Sequence, residues 1–251
     1  MNDHPASRAA RGAHQVGSPL PGVAGVTAEV YARLRQLIVS GALAPGAPLL
    51  ESDLSVRLSV SRTPTRAAIL RLQQEGFVVA TQVGQVTRTI VSPLTGDDMR
   101  ELLFIFGALE GLAARQVAQF PAVARLELAA TMEAINGELR DASERSHLQV
   151  RHAQDLHIRF HRCCVEAAAG RRLRGELDAL QPQVERYERV YTGALVLGHE
   201  FQAALREHDD LIEMIKRGDP DGAARAVATN WRNDAQRSVP IVAMLGERGI
   251  W

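Results

Sequence analysis

The stretch E-S-D-L-S-V-R-L-S-V-S-R-T-P-T-R-A-A-I-L-R-L-Q-Q-E-G, Glu51 to Gly76, decides the first half of the fold. Leu54 and Leu58 share one face of a short helix, and Leu58-Ser59-Val60 makes a turn. Ser61 or Thr63 can cap a second helix, because a side-chain oxygen there accepts an orphan backbone N–H. Pro64 falls in the first turn, where a missing N–H costs nothing. Ala68, Ile69 and Leu72 continue the buried face, and Gly76 ends the helix by tolerating a left-handed backbone. Arg62 and Arg66 stand one turn apart at the helix start, with Ser61, Thr63 and Thr65 around them. A guanidinium can take guanine O6 and N7 together, while hydroxyls and a helix N-terminus can take phosphates. Beyond Gly76, Phe77–Ala80 and Val86–Ile90 alternate like strands around Gln82–Gln85, a hairpin tip. Helix, turn, helix, hairpin reads as a winged helix-turn-helix built for double-stranded DNA.

Upstream, Thr27–Ser40 forms a first helix with Val30, Leu34, Leu37 and Ile38 as its buried stripe. Residues 1–25 are rich in Ala, Gly, Pro and Ser without periodicity, which predicts a disordered tail. Downstream, Val91–Leu94 is a linker. Thr95 caps a helix with Asp98 three residues on. Helical periodicity then runs to about Gln236, over Asp97–Gln119, Ala122–Arg140, Ser146–Ala169, Arg171–Leu180, Gln183–Val196, Glu200–Arg217 and Asp221–Gln236. Breaks are expected at Pro121, Gly170, Pro182, Gly198 and Gly218-Asp219-Pro220. The fold class is therefore mainly α: a DNA-binding domain over residues 26–92, then an antiparallel all-α bundle over 93–240 for effector binding and dimerisation. Residues 241–251 are a tail, with the chain loosely attached from Pro240 onward.

Charge supports this division. Among 251 residues with zero net charge, residues 1–92 carry nine arginines against five acidic residues, and the remainder carries 20 basic against 24 acidic residues. Only the first part has the sign expected of a DNA-binding module. Lys216 is the only lysine. Cys163 and Cys164 are adjacent in a helix, poorly placed to bridge each other, and read as small core residues. No apolar run approaches the roughly 20 residues of a membrane span, and the N-terminus has no apolar signal core. The expectation is a cytoplasmic protein without a membrane partner.

V-Y-A-R-L-R-Q-L-I-V-S-G-A-L-A-P-G-A-P-L-L-E-S-D-L (Val30 to Leu54) and V-S-R-T-P-T-R-A-A-I-L-R-L-Q-Q-E-G-F-V (Val60 to Val78) resemble the GntR family of bacterial transcription regulators. The resemblance implies a DNA-binding homodimer. It puts Ser61, Arg62, Thr63 and Arg66 on recognition-helix contacts and Gly84 on the wing that enters the minor groove. Ser52 falls where relatives often carry a longer polar contact. Leu94 to Arg115, Arg159 to His161 and Glu207 to Asp219 resemble the FCD class of that family, which carries an all-helical effector domain.

His157 and His161 are four apart and share a helix face. His208 interrupts the apolar stripe Phe201, Ala204, Leu205, Leu211, Ile212 and Ile215, and Asn230 follows Ala223, Ala226 and Val227. Polar groups on buried faces need partners. A divalent transition metal, zinc or nickel, answers that need for the three histidines. The FCD resemblance implies a metal held by an Asp and a His four apart and by two further histidines. His161 and His208 match two of those positions. His157 stands where the Asp is expected, and Asn230 stands where the last His is expected, so it holds a water at most. Phe106 replaces an arginine that in many relatives helps bind a carboxylate effector. Tyr187 and Tyr191 lie one turn apart, where Tyr187 can line an effector pocket.

The reading is a transcriptional regulator, of repressor type, whose grip on operator DNA is set by a small-molecule metabolite in the helical domain. Two alternatives share these residues. One is a metal-free effector domain with an apolar pocket. The other is a helical metal-dependent hydrolase fused to a DNA-binding module, against which stands the lack of a Glu beside His157 and His161 as in H-E-x-x-H.

Overall fold

The computed structural model describes residues 23–144, 150–189, 200–245 and 247–249. Among them run α1 (Val23–Val39), α2 (Glu51–Leu58), α3 (Arg62–Gln74), β1 (Val78–Val83) and β2 (Val86–Val91), followed by helices only. These are α4 (Gly96–Val117), α5 (Ala122–Glu144), α6 (Val150–Ala168), α7 (Arg171–Tyr187), α8 (Glu200–Arg217) and α9 (Pro220–Leu245).

Ser59 ends α2 in the left-handed region, with φ 56°. The turn sets α3 across α2, and a buried hydroxyl pair fixes the crossing. Ser55 Oγ lies 3.1 Å from Thr65 Oγ1, and the Thr65 hydroxyl lies 3.1 Å from the Ser61 carbonyl. Thr65 therefore belongs to the core and not to the DNA-facing set. Ser61 is extended, as an N-cap residue should be, yet its side chain makes no capping bond. Gly76 takes φ +80° and turns the chain into β1. Leu34, Leu54, Ala68, Leu72, Phe77, Val78 and Val91 close one apolar core beneath the three helices and the hairpin. The strands pair from Val78 opposite Val91 to Val83 opposite Val86. The hairpin tip is thus only Gly84 and Gln85, with Gly84 at φ +62° as a tight two-residue turn requires.

In the second half α4 lies centrally, packed on α9, α6 and α7, while α5 packs on α6 and α8. The Thr95 side chain accepts from the Asp98 N–H at 3.2 Å and starts α4 as its spacing predicts. α4 and α9 approach closely because glycines face the seam. A Cβ on Gly107 would sit 2.7 Å from Trp231 Cβ, and one on Gly111 would sit 3.0 Å from the Ala224 carbonyl. Among the described residues no helix is long and apolar enough to cross a membrane.

Four sequence expectations need correction. α1 begins at Val23, not Thr27, so the last three residues assigned to the tail are helical; Val26 in this turn packs on the core. Pro182 does not break its helix: α7 runs from Arg171 to Tyr187. Buried Leu177 and Val184 anchor it on both sides, and that packing outweighs one lost backbone bond. Pro240 likewise sits inside α9, flanked by Val239 and Ile241 against the core and followed by fully buried Val242. The end of the chain is not loose either. Arg248 exchanges both backbone bonds with Leu94, at 2.9 and 3.1 Å, and Glu247 Oε1 accepts from the Gly96 N–H at 2.9 Å. Residues 1–22, and the expected helix end Gln183–Val196 beyond 189, lie outside the described residues.

Two stability tests follow from this packing. Gly107→Ala should destabilise, because overpacking costs about 1–3 kcal/mol against the ~1 kcal/mol gained in helix propensity. Gly137→Ala on α5 meets nothing within 4 Å and should stabilise; urea midpoints moving together would refute the close seam. The second test concerns Glu207, which accepts from Asn230 and Asn233 at 2.8 Å each and from the Arg237 fork at 2.8 and 3.0 Å. Burial pushes this carboxyl up, but Arg237 and the two amides outweigh that and hold it below the ordinary range. Its stabilisation is therefore complete above the ordinary carboxylate range and drains as pH falls through the lowered value. The stability gap between the wild type and Glu207→Gln should narrow in acid; a gap independent of pH would contradict the network.

Candidate functional site

Two sites emerge, one in each half. On the first, Ser61, Arg62, Thr63 and Arg66 are all exposed at the start of α3. Ser52 is exposed on α2, where its hydroxyl lies 3.1 Å from Asp53 Oδ1. Gly84 is exposed at the hairpin tip, where a Cβ in place of its hydrogen would meet nothing within 4 Å. The Arg66 guanidinium is already engaged: Nε lies 3.0 Å from both Glu51 carboxylate oxygens and Nη2 lies 3.0 Å from Oε2. Glu51 raises the Arg66 pKa and holds its fork at the mouth of the helix. Sequence reasoning missed Glu51, and also Arg88, exposed on β2 of the wing. The signal for Arg88 was its place in the alternation of Val86–Ile90.

The second site is buried in the bundle. One ring nitrogen from each of His157, His161 and His208 lies within 4.8 Å of the others. α6 supplies two of these rings and α8 the third. His208 stacks on Phe160, with centroids 3.9 Å apart, and on His157 at 5.4 Å. Each Nδ1 has a protein neighbour. His208 Nδ1 lies 3.0 Å from Asn136 Oδ1, on α5. The Asn136 amide nitrogen donates to the Leu205 carbonyl and to Asp209, so its oxygen is left to accept. The His208 proton therefore sits on Nδ1, and the lone pair sits on Nε2, which is buried with no partner. His157 Nδ1 lies 3.6 Å from Glu188 Oε1, just past the end of α7. His161 Nδ1 lies 2.9 Å from Glu110 Oε2 on α4, close enough for an ion pair but too bent for a hydrogen bond. Both ring nitrogens of His161 thus lack an aligned partner. The pattern of an outer oxygen on Nδ1 and a free Nε2 is how metal-ligating histidines are oriented.

The surroundings are acidic. Glu110 is 3 % and Glu188 8 % exposed, and the Trp231 indole N–H donates to Glu110 Oε2 at 2.6 Å. Burial raises the Asp234 pKa, against the pull of His157 and Arg237. Burial would lower His157, but Glu188, Asp234 and Glu110 outweigh it and raise its pKa. His208, without such a carboxylate, is pushed well below the ordinary value by burial and by the two neighbouring imidazoles. Buried carboxylates around three convergent imidazoles favour a cation. The donor set fits a divalent transition ion.

The remaining expected residues fall around this cluster rather than in it. Phe106 is buried and meets Trp231 edge-on at 5.1 Å. The Asn230 amide nitrogen is committed to Glu207, while its buried oxygen has no partner and could accept from a water. Tyr187 departs from the expectation of a pocket-lining ring. Its hydroxyl donates to Asp98 at 2.6 Å and accepts from the Thr95 N–H at 3.1 Å, which ties α7 to the start of α4. Tyr191 lies outside the described residues. Glu110, Asn136, Glu188 and Asp234 were not foreseen, because helical periodicity marks which residues face inward, not which ones meet.

Comparison with known proteins bears on both halves. The model of the bacterial regulatory proteins of the gntR family matches residues 26–86, and that of the FCD domain matches residues 101–233. The HTH-type transcriptional repressor RspR of Escherichia coli is 28% identical over 202 residues, covering 80% of this chain and 84% of that protein. The transcriptional regulator YdhC of Bacillus subtilis is 25% identical over 212 residues, covering 83% and 88%. The structure of E. coli McbR/YncC shares the fold with a TM-score of 0.60 at 19% identity, covering 88% of this chain and 99% of that one. A winged helix-turn-helix followed by this helical domain places the chain in the GntR family of transcriptional regulators, in its FCD class.

Proposed function

We propose that the protein is a repressor that binds a pseudo-palindromic operator as a homodimer and is controlled by a small metabolite in the helical domain. The observation that carries the DNA-reading half is the exposed set Ser61, Arg62, Thr63 and Arg66 at one helix tip. Arg62 and Arg66 read bases or clamp phosphates, the hydroxyls take phosphates, Ser52 adds a contact from α2, and Gly84 lets the wing approach the backbone closely. The Glu51–Arg66 pair is surface-exposed, so exchanging it for a DNA contact costs little.

In the helical domain His157, His161 and His208 would hold zinc or nickel, with Asn136, Glu188 and Glu110 orienting the rings. The ion supplies positive charge among buried carboxylates and a coordination position for a metabolite. Phe106 gives that site no cation of its own. An effector controls DNA binding to the extent that it prefers one arrangement of the two DNA-binding domains over the other.

Selection from a random DNA pool should enrich one symmetric sequence. Against it Arg66→Ala should bind roughly tenfold to a hundredfold more weakly, measured by fluorescence anisotropy at fixed salt. A pool without enrichment would end the operator reading. Metal content is the second check. Purified wild type should carry stoichiometric zinc or nickel by elemental analysis, and His161→Ala and His208→Ala should lose it; metal retained by both variants would refute the three-histidine assignment.

A further inference from the structure

Within six residues, the end of α7 touches the histidine cluster and the C-terminal end of the recognition helix. We propose that the segment Gln183–Glu188 couples the histidine cluster to the recognition helix, with Glu188 as its sensing end and Gln183 and Arg186 as its output. This rests on the metal reading above and names its regulation.

At the output end, Gln183 Nε2 donates to the Glu75 carbonyl at 2.7 Å. Glu75 is the residue that terminates α3, so this bond reaches the end of the recognition helix opposite its DNA-facing tip. Arg186 is 4 % exposed. Its Nη2 donates to the Ser92 carbonyl at 2.6 Å, in the linker, and its Nη1 donates to Gln183 Oε1 at 3.0 Å. Ser92 in turn donates to the Gly76 carbonyl at 2.6 Å and pairs with Phe77 at 2.9 Å. Arg186 also lies over the Phe77 ring, 6.0 Å from its centre. A buried guanidinium satisfied by two neutral oxygens is an expensive way to gain stability, whereas it is an effective way to fix the distance between two domains. Next along the chain, Tyr187 holds Asp98 and the Thr95 N–H at the start of α4.

At the sensing end, Glu188 Oε1 lies 3.6 Å from His157 Nδ1, and the Glu188 carbonyl accepts from Gln154 of α6 at 3.2 Å. The 3.6 Å gap is longer than a hydrogen bond. A cation held by the far ring nitrogen of His157 would make its Nδ1–H a stronger donor and would draw Glu188 onto it. Glu188 is thus a positioning residue that acts through His157. Because it ends a stiff helix, a shift there reaches Arg186, Gln183 and Glu75 through covalent geometry and the bonds just named.

The test is hydrogen–deuterium exchange by mass spectrometry on the full chain, metal-free and with added zinc or nickel alone. In the wild type, metal should slow exchange several-fold in peptides covering Glu75–Phe77 and Ser92–Leu94, far from the histidines. Gln183→Met takes a partner from buried Arg186 and should lower the melting temperature, yet it should bind metal with unchanged affinity and lose the response at Glu75–Phe77. Glu188→Gln should fold normally but bind metal roughly tenfold to a hundredfold more weakly, measured by competition with a chromophoric chelator. Metal uptake without a response at those peptides, a response undiminished in Gln183→Met, or unchanged affinity in Glu188→Gln overturns the coupling alone. A wild type that takes up neither metal removes the metal reading and the coupling with it.

Discussion

Close contact between α4 and α9 is the constraint on which the helical domain depends. Trp231 seats over Gly107, and its indole N–H reaches Glu110 one turn further along α4. That bond, in turn, sets a buried carboxylate 2.9 Å from His161. Were the seam wider, Glu110 would meet water, and its charge would be unavailable to the histidine cluster. The same helix begins at the linker, where Thr95 caps it and Glu247 and Tyr187 engage its first backbone N–H groups. α4 therefore joins the interior of the bundle to the connection between the two halves.

The histidine cluster is assembled from six helices. α6 and α8 give the rings, α5 fixes one tautomer through Asn136, and α4 and α7 end their contributions in Glu110 and Glu188; α9 adds Trp231 and Asp234. Such a cluster is costly in a dry interior unless every group is satisfied. The orphaned Nε2 atoms of His161 and His208 mark where satisfaction is incomplete. The opposed pKa shifts of His157 and His208 have one origin, since only His157 among the two faces a carboxylate directly. Stacking on Phe160 and the Asn136 bond hold the His208 ring in place.

The DNA-reading half is organised by a different economy. Its core is small and apolar, and a buried hydroxyl pair, Ser55 with Thr65, fixes how α3 crosses α2. The exposed polar side chains Ser61, Arg62, Thr63 and Arg66 stand at the opposite end of α3 from the Glu75 carbonyl to which Gln183 bonds. A helix is stiff along its axis, so a bond at one end bears on the orientation of the other. The C-terminal residues add a second tie, through Arg248 and Leu94.

The sequence by itself determined the helix-turn-helix, the hairpin, the cap at Thr95 and the helical character of the second half. Each is written in local signals: apolar spacing, a glycine that accepts positive φ, a hydroxyl three residues before an acceptable partner. It also determined the three histidines as a group, since His157 and His161 share a helix face and His208 breaks an apolar stripe. Local signals misjudged Pro182 and Pro240, where packing on both sides carries a helix through a residue that would stop an isolated one. They also misjudged Thr65, a hydroxyl drawn inward by Ser55, and Tyr187, drawn to Asp98. Tertiary structure alone decided that Glu110, Asn136 and Glu188 surround the imidazoles and that Gln183 and Arg186 reach the DNA-binding half. Those meetings depend on how helices distant in sequence stack and rotate against one another, and no periodicity within a single helix encodes that.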